Sequence, residues 1–304
     1  MDILVTGGAG YKGVLLVEKL LEWGNKVTIL DNFMYGYDSV LHMIGNPNLH
    51  VISMDIRNLR GLGEWDVVYH LAGISGMPAC ASNPSAAQAI NVEATRQLSG
   101  CLGKSQILIY ASTTSIYGGA NGAVCDEDTP IQAGSLYAKT KYEAEKIVQE
   151  RENSISLRFA TVFGVSTRQR NDLLVNDFTY RSLNERSIVL FDSRSRRTFV
   201  HISDAINGYL FALDHAEEMC GRVFNVGDES MNFSKMDIAS EIRSHVKCDI
   251  IDSTLPDLDV RNFLVSFSRM RNLGFKTKLT LDDGIRDLLK LYGFYKYHSH
   301  FNVI

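Results

Sequence analysis

The 304-residue chain is defined first by what it lacks. No apolar run approaches the roughly 18 residues that a membrane span needs. Its five cysteines (Cys80, Cys101, Cys125, Cys220 and Cys248) are odd in number, scattered, and without a CxxC pair. That spacing argues against a disulfide framework or a zinc site and fits a reducing cytoplasm. A net charge of only −4, from 31 basic and 35 acidic residues, supplies no basic footprint for nucleic acid and no polybasic patch for a membrane. There are five prolines and no Pro-rich linker, low-complexity tract or internal repeat. With 45% hydrophobic residues the chain is not disordered, and its length allows one large domain or two unequal lobes. Met1 runs straight into the strand-like Ile3-Leu4-Val5, so no signal peptide is expected before the fold. The expectation is a cytoplasmic globular enzyme.

What is present is alternation. Short apolar runs at 3–6, 27–30, 50–54, 67–71, 107–111 and 154–159 read as buried strands. Helical spacing appears between them at 14–23, 86–102 and 134–149. Parallel strands need long crossovers that pack back on the sheet, so this order predicts an α/β fold: a doubly wound parallel (Rossmann) sheet. Beyond Phe163 the periodicity weakens. Helix is expected at 172–183, strand at 187–191, strand turning into helix over 199–212, and shorter signals at 223–226, 235–246 and 281–290. The expected division is 1–165 with 192–216 as the dinucleotide-binding domain, and 166–191 with 217–304 as a smaller C-terminal α/β substrate lobe.

Between the first strand and first helix lies Thr6-Gly7-Gly8-Ala9-Gly10-Tyr11-Lys12-Gly13. Glycines at 7, 10 and 13 suit a tight turn, a close approach of backbone N–H groups to a pyrophosphate, and tight packing of helix on strand. The helix N-terminus adds partial positive charge. Asp31, followed by Asn32, ends the second strand, where a carboxylate grips a ribose diol and repels a 2′-phosphate, favouring NAD over NADP. Asp55-Ile56 ends the third strand, where the acid can meet an adenine amino group or simply be solvated. In His70-Leu71-Ala72-Gly73 the small residues let a dinucleotide lie on the backbone, and His70 reads as a packed strand-end residue.

Tyr137 and Lys141 stand four apart, on one face of an expected helix. An ammonium beside a phenol favours the phenolate, so Tyr137 can act as general base on a hydroxyl while a hydride leaves for nicotinamide. Lys141 can also hold the nicotinamide ribose. The fifth strand ends in the hydroxyl-rich stretch Ser112, Thr113, Thr114, Ser115, at the edge where parallel sheets bind ligands. Some of these hydroxyls serve backbone capping. Thr113 is the expected catalytic hydroxyl, with Ser112 or Thr114 next.

Together these motifs resemble the extended short-chain dehydrogenase/reductases, in the nucleotide-sugar epimerase/dehydratase family. The likeness covers nearly the whole chain. It includes the glycine loop, Asp31-Asn32, Asp55-Ile56, His70 to Gly73, Asn91-Val92, the stretch Ser112 to Gly118, Tyr137/Lys141, Leu157-Arg158-Phe159, and Arg197 to Asp204. Segments 158–164, 168–178 and 259–266, the last opening on Asp259, are similar to a branch containing GDP-heptose 4-dehydrogenases and 4-epimerase-like proteins. The resemblance implies NAD and a nucleotide-diphosphate sugar. It places Gly7, Gly10, Tyr11, Lys12, Gly13, Asp31, Asn32, Asp55, Ile56, Leu71, Ala72, Gly73, Asn91, Tyr137 and Lys141 at the cofactor. It places Thr113, Thr114, Asn176, Arg197 and Arg261 at the substrate, where a diphosphate suits guanidinium forks. Arg194 and Arg196 read as a solvated face. No metal is expected, because His298 and His300 in the aromatic-rich stretch 292–301 lack further ligands; that stretch is expected to dock on the body or on another subunit. A homodimer through helices 86–102 and 134–149 is implied.

The chain also departs from the family. The 4,6-dehydratases carry an Asp-Glu pair directly after the catalytic Ser/Thr, where this chain has Thr114 and Ser115, and decarboxylating members carry an acid at the Ser115 position. Without such a proton donor, elimination of water is disfavoured. Lys12 replaces an aliphatic residue of the glycine loop and either reaches a cofactor phosphate or points outwards. The expected activity is oxidation of the sugar at C4, as a 4-epimerase or 4-dehydrogenase. The alternatives are a reductase of 4-keto sugars and a dinucleotide-binding sensor without catalysis.

Overall fold

The computed structural model describes residues 1–61, 63–119, 122–255 and 261–295. Its strands, in chain order, are β1 (Asp2–Thr6), β2 (Lys26–Asp31), β3 (Leu49–Ser53), β4 (Val67–His70), β5 (Ile107–Thr113), β6 (Val124–Cys125) and β7 (Ser154–Phe159). They continue as β8 (Thr161–Phe163), β9 (Ser187–Phe191), β10 (Arg196–His201), β11 (Arg222–Val226), β12 (Asn232–Ser234), β13 (Asp249–Ser253) and β14 (Leu264–Val265). Seven of them form one parallel sheet in the order β11–β7–β5–β4–β1–β2–β3. The expected Rossmann-type doubly wound sheet is therefore present. Its direction of winding reverses between β1 and β4, and the crevice beyond their C-terminal ends is where such sheets take ligands.

Burial shows why these runs are strands covered on both sides. Along β1, Ile3 and Val5 enter one apolar cluster and Leu4 another; Val67 and Tyr69 of β4 likewise part from Val68. On one face lie the helices Gly13–Glu22 and Ile202–Asp214, through Val17, Leu20, Ala205 and Tyr209. On the other lie Ala94–Cys101 and Leu136–Gln149, through Leu98, Ala144 and Val148. Each fully buried Val or Leu among these contributes roughly 1.5–3 kcal/mol. A third cluster, including Phe163, Val175, Ile188, Ile238, Ile285 and Leu288, lies among β8, β9 and the helices Leu174–Asn184, Lys235–His245 and Leu281–Tyr292.

Two expectations are corrected. Arg222–Val226, assigned on sequence to the smaller lobe with the rest of 217–304, pairs with β7 and forms an edge of the large sheet. A short apolar strand looks the same in either sheet, and only its distant partner decides between them. The single helix expected at 86–102 is instead Pro84–Gln88 and Ala94–Cys101 joined through a π-turn at Ala89–Glu93. The wide turn carries Asn91, whose amide props the backbone after β4 by accepting from Ile74 N (2.8 Å) and donating to Ile74 O (3.0 Å). π-turns of this kind often mark functional sites.

No helix among the described residues is long and apolar enough to cross a membrane. None of their exposed large apolar side chains falls within 86–102 or 134–149. His298, His300 and Asp259 lie outside the described residues.

Candidate active site

The site begins where β1 turns into its helix. Gly7 has a φ of +71°, and a Cβ there would sit 2.7 Å from the amide nitrogen of Ala72. At Gly13 a Cβ would lie 2.2 Å from the Gly7 carbonyl. The glycine loop and the segment after β4 thus meet backbone to backbone. They line a cleft of about 150 Å³ through Gly7, Gly10, Gly13, Leu71 and Gly73. A glycine turn at a helix N-terminus, in a cleft that Arg168 and Arg170 also line, fits a dinucleotide pyrophosphate. A neighbouring cavity of about 140 Å³ shares Gly7, Gly10, Leu71 and Gly73 and ends at Asp31, Asn32, Asp55, Ile56 and Ala72. Asp31 accepts from Ala9 N (3.1 Å) and Phe33 N (2.9 Å); burial raises its pKa and these N–H groups pull it back. Asp55 is gripped by Arg57 at 2.7 Å, which holds its carboxyl below the usual range.

The other end of the cleft opens into a larger cavity of about 520 Å³. Tyr137 and Lys141 sit in the first two turns of the Leu136–Gln149 helix, whose start is fixed by the Ser135 hydroxyl accepting from Ala138 N at 3.1 Å. Tyr137 lines this cavity together with Ser75 and Thr113, and their hydroxyls draw its pKa down against the rise from burial. Thr113, the last residue of β5, also donates to Ser115 Oγ (3.1 Å), which accepts from Arg261 Nη1 (2.9 Å). Arg170 donates to Ser75 Oγ at 3.3 Å and is ion-paired with Asp172. Arg197 is buried and lines the same cavity, whereas Arg194 and Arg196 are exposed.

Behind Thr113 lies a buried polar network. Ser112 Oγ donates to Glu145 at 2.6 Å, Glu145 pairs with Arg158 at 2.7 Å, and Arg158 reaches the Tyr117 hydroxyl at 3.0 Å. Buried charges held in this way keep their partners in fixed geometry. His70 is likewise enclosed, between the hydroxyls of Thr6 (2.7 Å) and Thr95 (2.8 Å). Burial lowers its pKa to about 3, so it stays neutral.

Several candidate residues stand elsewhere than expected. Asn176 is fully buried and spends its amide on Gly164 N, Gly164 O and Arg170 O, so it shapes the loop and does not line the cavity. Asn91 props the segment 71–74 and lines none of the three cavities. Thr114 is buried beside the cavity wall without lining it. Tyr11 lines both clefts but donates across to Gly164 O at 2.8 Å. The expected lowering of the Tyr137 pKa by Lys141 is also corrected. Burial raises that phenol, and the opposing pull comes from Ser75, Thr113 and Arg170. Lys141 instead lies over the Tyr110 ring at 4.1 Å, and burial brings its own pKa down to about 7. Lys12 points inwards, towards Tyr209 and Phe159.

Ser75 and Arg170 carry no local sequence pattern that marks them; their placement depends on how the loops meet. Tyr292 donates to Asn171 Oδ1 at 2.7 Å and so docks the last described helix on the arginine-bearing loop. Away from the clefts, Glu241, His245 and Asp282 bring three potential ligand atoms within 4.8 Å of one another. There His245 and Asp282 form a 2.6 Å pair.

Residues 3–227 match the NAD dependent epimerase/dehydratase family. UDP-glucuronic acid decarboxylase 1 of Danio rerio is 31% identical over 219 residues, 68% of this chain; the match spans about half (52%) of that relative's length. An uncharacterised UDP-glucose epimerase of Bacillus subtilis (strain 168) is 32% identical over 250 residues, 75% of this chain and 77% of the relative. The crystal structure of UDP-glucuronic acid 4-epimerase from Bacillus cereus, in complex with UDP-glucuronic acid and NAD, superposes with a TM-score of 0.86 at 27% identity. That superposition covers 96% of this chain and 99% of the other.

Proposed function

This chain belongs to the NAD dependent epimerase/dehydratase family, and from that premise we propose that it oxidises a nucleotide-diphosphate sugar at C4 and acts as a 4-epimerase. NAD is the cofactor of the family, and when bound it supplies the acceptor for the C4 hydride. The glycine loop holds its phosphates and Asp31 its adenosine ribose. Tyr137 takes the proton of the C4 hydroxyl, and Thr113 with Ser75 orients the oxygen. Lys141 holds the nicotinamide ribose. Arg197 and Arg261 meet the diphosphate, for which a guanidinium fork is well shaped.

The observation that carries this reading is that Tyr137 and Ser75 line both the dinucleotide cleft and the large cavity, with Thr113 on the wall of the latter. Dehydration is disfavoured by the same residues. Thr114 and Ser115 follow Thr113 with no carboxylate. Among the described residues the carboxylates lining the cavity are Asp172 and Asp177, each engaged by an arginine, Arg170 and Arg181.

The test is incubation of the protein with UDP-, GDP-, dTDP- and CDP-sugars, following reduced-nicotinamide absorbance and product stereochemistry. The expected result is a C4 epimer without net change in absorbance. Accumulating reduced nicotinamide with a released 4-keto sugar would mark a 4-dehydrogenase instead. A 4,6-dehydrated or decarboxylated product overturns the assignment. A homodimer through the helices at 86–102 and 134–149 belongs to the same reading and is checked by sedimentation.

A further inference from the structure

Lys12 is set against several local rules at once. It stands at the N-cap of the Gly13–Glu22 helix and makes no side-chain cap there. At that end of a helix a cation meets the positive end of the dipole. Its ammonium turns inwards, donates to the Tyr209 hydroxyl at 3.1 Å, and lies 4.1 Å from the centre of the Phe159 ring. The Tyr209 ring centre is 5.4 Å away. Among the described residues no carboxylate stands within ion-pair distance of it, and its charged neighbours are the cations Lys141 and Arg170. Burial first, and those two cations next, bring its pKa down to about 7. A residue that breaks local rules without a structural return is a candidate for function.

Its position says which function. Lys12 lines both the dinucleotide cleft and the large cavity, as do Tyr137, Ser75 and Ser112. Residues common to both walls mark the place where cofactor and sugar come together, and the part of the dinucleotide that must reach that place is the nicotinamide. The oxidised ring carries a positive charge and the reduced ring none.

We propose that the Lys12 ammonium, held by Tyr209 and Phe159 at the junction of the two clefts, discriminates between the oxidation states of the bound cofactor and favours the uncharged, reduced nicotinamide. The inference rests on the reading of Tyr137 as the base facing that ring. It accounts for a cation where the family's loop resembles an aliphatic position. It also has a consequence for an epimerase: the 4-keto stage is held long enough for the sugar to turn, because the cofactor is poised towards its reduced form.

The test is equilibrium binding of NAD and of NADH to the nucleotide-free protein at about pH 6, where Lys12 carries its charge. The native protein is expected to bind NADH more tightly. In Lys12→Met that preference should fall by about tenfold or more, because like charges in a partly desolvated site interact strongly. In Lys12→Arg it should persist. A further variant, Lys12→Gln, gives the same readout should the methionine protein fail to fold. If both affinities fall by one common factor, Lys12 serves the phosphates and the proposal is overturned; an unchanged ratio overturns it equally. Turnover of Tyr137→Phe separates the two readings. If that variant is inactive while the ratio is unmoved, the Lys12 proposal alone fails. If it stays active, the assignment of the base fails with it.

Discussion

The two ends of the cleft are built by different means. At the cofactor end the floor is backbone drawn from the first 75 residues: three glycines, a helix N-terminus and the strand end at Leu71 to Gly73. At the sugar end the walls are side chains brought from afar, with Ser115 meeting Arg261 and Ser75 meeting Arg170. A floor of backbone accepts few changes, because a Cβ at Gly7 or Gly13 would collide with main-chain atoms. A wall of side chains can be retuned one residue at a time, so on the proposed reading the choice of sugar belongs to that end.

The contrast is sharpened most by Tyr137, which stands between the ends. Tyr137→Phe is expected to lower kcat by about 10³-fold, within the range of a lost general base, while NAD affinity measured by titration stays near native. Next comes Gly13→Ala. Its methyl would meet the Gly7 carbonyl at 2.2 Å, so a loss of about 1–3 kcal/mol is expected from overpacking, read as a lower melting temperature together with weaker NAD binding. A methyl tolerated in both measurements would break the comparison.

His70 supplies an acid-sensitive point at the cofactor end. Its folded pKa of about 3 lies well below the unfolded value near 6.5. Between those values the unfolded chain binds a proton that the native state refuses, so stability falls as pH drops below about 6.5. From pH 7 to pH 5 this one group should cost about 2 kcal/mol, measured by urea unfolding, and His70→Asn should flatten the slope. The smallest effect is expected at the sugar end. Arg261→Met should raise KM for the nucleotide sugar by about tenfold through loss of a charged hydrogen bond, leaving NAD affinity unchanged.

The same contrast decided what could be read in the sequence. Strand-helix alternation and the glycine spacing follow from local steric rules, and the sheet and cradle appear where they are expected. Asp31 at the end of β2 followed from the same logic. Arg222–Val226 was not legible, since its pairing with β7 depends on a partner some 70 residues earlier. Asn176 and Asn91 share the polar character of ligand-binding residues, yet both amides satisfy nearby backbone. Spacing put Tyr137 and Lys141 on one face but could not say that the ammonium would settle on the Tyr110 ring.

One feature at the back of the site bears on how a sugar could be inverted. Glu145 lies on the helix that carries Tyr137, Ser112 adjoins Thr113 on β5, and Arg158 belongs to β7, so their buried hydrogen bonds clamp one helix to two strands. That clamp ties the helix bearing the phenol to the strand that ends in the hydroxyl, like the pinned joint of a calliper. If the chain is the 4-epimerase proposed above, presenting the opposite face of a pyranose falls to the ligand, which has a chamber of about 520 Å³ in which to turn.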